Sequence, residues 1–66
     1  MDIREFVDEY GTDKAEDVFE RAGSTRKYMI QIKTGQRQPS IKLVKALIKA
    51  SHGKLTRERL RPDFYT

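Results

Sequence analysis

The chain has no cysteine and a single histidine, His52. The first absence excludes a disulfide framework, a thiolate metal site and a cysteine nucleophile, and it fits a reducing compartment. The second leaves too few imidazoles for a tetrahedral metal site within one chain. Nor does any apolar run approach the roughly 20 residues that span a bilayer. The start of the chain, with Asp2 and Glu5, lacks the basic-then-apolar pattern of an export signal. A soluble cytoplasmic protein with no membrane segment, no metal and no cofactor is expected. Nothing pairs a nucleophile with a base, and the carboxylates read as solvated helix faces, so an enzyme is not expected.

A further absence is positional. No aspartate or glutamate occurs between Glu20 and Glu58. Residues 1–22 hold eight carboxylates against Arg4, Lys14 and Arg21, a balance of −5, whereas eleven basic residues from Gly23 onward face only Glu58 and Asp63, a balance of +9. The formal net charge of +4 conceals this division. A solvated face is the usual meaning of a charge run, but one so lopsided is better read as an electrostatic footprint for phosphates.

The 66 residues make one domain, 1–66, and a chain so short buries only about 60% of its unfolded surface. Apolar spacing predicts an all-α compact bundle of four to five short helices. Ile3, Phe6, Val7 and Tyr10 form the stripe of a first helix over Asp2–Tyr10, with Asp2 and Glu5 as a capping box and Gly11 as its end. Thr12 or Asp13 caps a second helix with Ala15, Val18, Phe19 and Ala22 on its apolar side. Pro39 and Ser40 open the main core helix through Ile41, Leu43, Val44, Leu47 and Ile48. Its lysines Lys42, Lys45 and Lys49 either solubilise it or meet phosphate. Ser51, His52 and Gly53 end this helix, with Gly53 as the left-handed residue and His52 placed for the dipole. Thr56 caps a short turn over Arg57–Leu60, which Pro62 stops, leaving Asp63–Thr66 as a tail. Leu60, Phe64 and Tyr65 either close the core over the first helix or form part of a dimer contact.

The centre of the chain is Ala15–Thr34, AEDVFERAGSTRKYMIQIKT, closed by Gly35. Gly23 suits the position after a helix end, and Ser24 or Thr25 can cap a new helix at once. Two helices so tightly joined form a helix-turn-helix. On the second, Met29 and Ile32 face inward, with Thr25 and Tyr28 on their flank, which leaves Arg26, Lys27, Ile30, Gln31 and Lys33 facing out. Its first turn carries Arg26 and Lys27 and no acid, so the positive end of the dipole is free for a phosphate. Arg26 has the fork for guanine O6 and N7; Lys27 suits a guanine or a phosphate, Gln31 an adenine and Ile30 a thymine methyl. Thr25, Tyr28, Lys33, Gln36, Arg37 and Gln38 are the candidate phosphate contacts.

This stretch resembles the DNA-binding motif of phage Cro and repressor proteins. Val18 stands at the apolar site before the small one, Gly23 at the turn, and Met29 and Ile32 at the two buried sites of the recognition helix. Phe19 stands where the family usually has alanine, and Ser24 where it usually has an apolar residue. A second resemblance lies in GKLTRERLRPDFY, Gly53–Tyr65, which looks like the closing segment of small Cro-like proteins of the YdaS type, often encoded by prophages. Together the two cover roughly Gly11–Tyr65. They imply a lambda repressor/Cro-like DNA-binding domain, with Gln36–Gln38 lying along a DNA strand.

Such a chain is expected to be a sequence-specific transcriptional regulator. One helix reads few base pairs, so the expectation is a nucleoid-associated homodimer on a pseudo-palindromic operator, repressing by covering a promoter and taking no small-molecule ligand. The alternative is an antitoxin-like or adaptor module that contacts another protein through the acidic N-terminal half, since YdaS-type proteins are often labelled antitoxins.

Overall fold

A computed structural model describes residues 1–65. Among them are five helices and no β-strand: α1 Ile3–Tyr10, α2 Thr12–Arg21, α3 Arg26–Lys33, α4 Ile41–Ala50 and α5 Arg57–Leu60. No helix is long and apolar enough to cross a membrane.

A single residue separates the first two helices. The Gly11 N–H closes α1 on the Val7 carbonyl (2.9 Å), and the Gly11 carbonyl accepts the Ala15 N–H of α2 (3.2 Å). Its backbone, φ 91° and ψ 161°, lies in a region open essentially only to glycine. Gly11 is therefore itself the N-cap of α2, and neither Thr12 nor Asp13 caps it with a side chain. Thr12 is already helical, because the glycine turns the chain one residue earlier than a hydroxyl cap would. At α1 the capping box forms as read: Asp2 accepts the Glu5 N–H (2.9 Å) and Glu5 accepts the Asp2 N–H (3.1 Å).

The α2 helix is the hub, touching α1, α3 and α4, while α4 touches α2 and α5. Their shared interior is Ile3, Phe6, Ala15, Val18, Phe19, Met29, Val44, Leu47, Leu55 and Leu60. Ser40 caps α4 by accepting the Leu43 N–H (3.1 Å), and Val44 and Leu47 of α4 are fully buried.

The end of α4 differs from the reading in which Gly53 alone takes the left-handed position. His52 N–H bonds to the Lys49 carbonyl and Gly53 N–H to the Ile48 carbonyl, so His52, at φ 54°, holds the site one residue after the helix cap. Gly53 follows at φ 80°. Ser51, buried beneath them, donates to the Ile48 carbonyl and accepts the Leu55 N–H (3.0 Å), which sets Leu55 into the core.

Met1 meets the segment just before α5. The Thr56 N–H bonds to the Met1 carbonyl, and the Met1 nitrogen reaches the Lys54 carbonyl and the Thr56 hydroxyl. That hydroxyl consequently makes no cap bond to α5. Arg59 donates twice to Glu5, with Asp2 3.8 Å away. Leu60, in α5, is core; of the tail, Tyr65 packs partly on the core under the Arg57 guanidinium, Phe64 is 59% exposed, and Thr66 lies outside the described residues.

Candidate nucleic-acid interface

The turn between α2 and α3 is built from backbone bonds. Gly23 N–H goes to the Glu20 carbonyl (3.0 Å) and Ser24 N–H to the Phe19 carbonyl (2.9 Å), a closure that needs positive φ at Gly23, observed at 83°. Thr25 then supplies the cap, its hydroxyl oxygen accepting the Tyr28 N–H (3.2 Å). Capping uses the oxygen as acceptor only, so the Thr25 O–H can still be donated to a phosphate.

The roll of α3 is set by Met29, which is 1% exposed. Successive residues turn by about 100° around a helix. Lys27, Gln31 and Thr34 therefore lie opposite Met29, with Ile30 and Tyr28 on the two flanks. Arg26 and Lys33 fall back toward the Met29 side. Lys27 and Ile30 are exposed, Ile30 at 44%, and Gln31 is half-buried. Ile32, expected inside, is partly buried against the core.

The five outward residues are thus less uniform than periodicity alone implies. Arg26 is exposed but its Nε lies 3.0 Å from Glu16 Oε1 on α2. Lys33 is half-buried beside a hollow that Arg4 of α1 and Arg59 of α5 also line. It stands apart from Lys27 and Gln31, because packing against α1 turns that edge of α3 inward. Lys42, Lys45 and Lys49 are exposed on α4.

After α3 the chain closes again, Gln36 and Arg37 both donating backbone N–H to the Gln31 carbonyl (2.8 and 3.1 Å). Gln36, Arg37 and Gln38 are all exposed. This linker is pinned from two directions. The Tyr28 hydroxyl donates to the Gln38 carbonyl (3.4 Å), with the Arg37 guanidinium 6.0 Å from the Tyr28 ring. From the tail, Arg61 donates to the Pro39 carbonyl (2.8 Å) while its other nitrogens grip Asp63 (2.9 and 2.8 Å). Tyr28 is half-buried and its hydroxyl is partly engaged.

Sequence reasoning missed two residues here, Glu16 and Arg61. Both act between different elements, Glu16 across the α2–α3 turn and Arg61 over 22 residues, and no helical period announces such a contact. The carboxylates with displaced pKa values lie away from α3. Glu5 is held below its usual range by the Asp2 backbone N–H and then by Arg59, Asp63 by Arg61, and Glu58 by Arg57.

Compared with protein-family models, with curated proteins and with solved structures, the chain finds no match. The site is therefore described by its own geometry. It is a short cationic helix whose outward side bears Lys27, Ile30 and Gln31, flanked by Arg26, Tyr28 and a linker rich in donors.

Proposed function

We propose that the chain is a sequence-specific regulator of double-stranded DNA, a Cro-type phage or prophage repressor that lays α3 in the major groove as the second member of a helix-turn-helix. The observation that carries this reading is the roll of α3. Met29 seals the core while Lys27 and Ile30 are exposed, and neither α3 nor its linker contains an acid. Arg26, Lys27, Ile30 and Gln31 address base edges. Thr25, Tyr28, Arg37 and the two glutamines of the linker hold phosphates, which fix register without reading sequence. Lys33, set back on the core side, serves a phosphate at the edge of the footprint. The chain acts as a homodimer on half-sites about 34 Å apart, since one such helix reads too few bases.

Selection of sites from random duplexes tests this. The expected product is a pseudo-palindrome bound less tightly as salt rises, through loss of released counterions. Arg26→Ala should cost about 1–3 kcal/mol and relax one operator position. Absence of any enriched site, with affinity indifferent to salt, refutes the proposal. One observation favours a second reading, an antitoxin-like or adaptor role. Asp8, Glu9, Asp13 and Glu20 are exposed on α1 and α2, and none forms an ion pair among the described residues. A basic partner protein retained by a chain with no operator would support it.

A further inference from the structure

Of the basic side chains on α3 and its linker, Arg26, Lys27, Lys33 and Arg37, only Arg26 has a carboxylate within 4.0 Å among the described residues. The partner, Glu16, lies on α2 and is the better anchored of the two: its side chain is 26% exposed, that of Arg26 70%. A single exposed ion pair adds little to folding stability. Its effect on where the guanidinium sits, and on what it can bind, is larger.

The contact engages Arg26 Nε, at 3.0 Å from Glu16 Oε1. The contact is an ion pair, with no hydrogen bond from the Arg26 guanidinium to Glu16 among the described residues, so the terminal pair of N–H groups, the pair that matches guanine O6 and N7, stays unoccupied while Glu16 restrains the charge. The carboxylate also compensates the arginine charge. A phosphate, which carries a full negative charge, loses part of its attraction for Arg26, whereas the neutral guanine edge is affected less. A guanine edge, recognised by paired hydrogen bonds, keeps its partner and gains a pre-oriented one.

We propose that Glu16 is a positioning residue for operator recognition, trading the non-specific phosphate affinity of Arg26 for base discrimination. This rests on the DNA-binding reading and deepens it. It assigns a role to an acid on the helix before the recognition helix, where an acid would otherwise only repel the DNA backbone.

The test is Glu16→Gln, which keeps size and polarity but removes the charge. Binding is measured to the selected operator and to a scrambled duplex over a range of salt. Non-specific affinity is expected to rise about 3–10-fold at low salt. The magnitude of its salt slope should grow by about 0.9, one additional phosphate neutralised. The ratio of operator to scrambled affinity should fall by a similar factor. In an Arg26→Ala background the same substitution should change neither quantity, which separates positioning from a general change of surface charge. An NMR readout without DNA accompanies these: the Arg26 side chain, restrained by the ion pair, should be more ordered in the wild type than in Glu16→Gln. An unchanged ratio and slope in a protein that does bind its operator overturns the role of Glu16 alone. Equal order parameters for the Arg26 side chain in the two proteins overturn it as well. A wild type with no salt-dependent affinity overturns the DNA-binding reading itself, and this role with it.

Discussion

Phe19→Ala distinguishes two accounts of how α2 and α3 meet. Alanine is what the resemblance to phage Cro and repressor proteins puts at this site. If the native crossing were strained around an oversized ring, shortening it would relieve overpacking, a gain of about 1–3 kcal/mol. The structure argues the reverse. Phe19 is 0% exposed and its carbonyl accepts the Ser24 N–H that closes the turn, so the ring lies at the base of the α2–α3 corner. Truncating a buried phenylalanine costs about 3–5 kcal/mol, from lost transfer energy and the cavity left behind. Folded domains hold about 0.05–0.15 kcal/mol per residue, which for this length is roughly 3–10 kcal/mol in total, so the substitution removes a third or more of the stability. With an unfolding entropy of about 2.1 cal/mol/K per residue, the expected fall in Tm is roughly 20 °C or more by circular dichroism at 222 nm. Phe19→Leu, closer in volume, should lose less than about 1.5 kcal/mol and remain measurable if the alanine variant does not fold. A Tm for Phe19→Ala within about 5 °C of wild type, or above it, would show that the surroundings collapse onto the smaller side chain and that the ring is not what sets the crossing.

Two further perturbations test the rest of the frame. Ser51→Ala leaves the buried Leu55 N–H, now 3.0 Å from the Ser51 hydroxyl, without a partner; urea titration should show a loss of about 1–3 kcal/mol, and a loss below about 0.5 kcal/mol would mean the segment finds another acceptor. Acid should destabilise the protein. Glu5 and Glu58 have folded pKa values below their ordinary 4.5, and Asp63 below its ordinary 3.8. Their contribution is therefore complete above those values and is lost as pH falls through the lowered ones. Melts should be level from neutral pH to about 5 and decline below 4.5. The decline should be shallower in Glu5→Gln, and smaller in high salt because all three groups are exposed. A Tm that rises on acidification would contradict the signs of these pairings.

What was legible in the sequence were the features that act within one turn of helix. The Asp2–Glu5 capping box, the Thr25 and Ser40 caps and the left-handed Gly23 each depend on residues no more than a few positions apart, and each is found. The apolar stripes of α1, α2 and α4 were equally plain. The burial of Leu55, Ser51 and Pro39 has no signature in the sequence, since they lie in connections where no period distinguishes core from surface. Leu55 lies in the segment after α4 that folds back to Met1, where the Thr56 N–H meets the Met1 carbonyl, and Pro39 lies under the Arg61 contact to its carbonyl. The same limit governs the interface. Residue types on α3 were readable, but its roll is decided by which side chains α1 and α2 leave room for. Hence Arg26 and Lys33 stand nearer the core than a simple outward face would place them. The left-handed His52 was hidden by the glycine after it.

The division of charge along the chain carries less than its arithmetic suggests. Three of the basic residues behind the +9 balance, Arg57, Arg59 and Arg61, are engaged with Glu58, with Glu5 and Asp2, and with Asp63. Arg21 pairs with Asp17 and Arg26 with Glu16, so five of the seven arginines are bound to carboxylates, while none of the lysines is within 4.0 Å of one among the described residues. This sorting has a physical basis. The planar arginine fork loses less freedom per bond when it grips a carboxylate, whereas a lysine is a strongly hydrated point charge on a flexible stem. Arginine therefore ties the tail and the helix ends to the bundle, and Lys27, Lys33 and Arg37, with no carboxylate within 4.0 Å among the described residues, supply the uncompensated charge near the proposed groove contact. The footprint of the proposed DNA complex would then be smaller than a half-chain excess implies, and in that proposal the burden of discrimination falls on the one arginine of α3 that an acid already restrains.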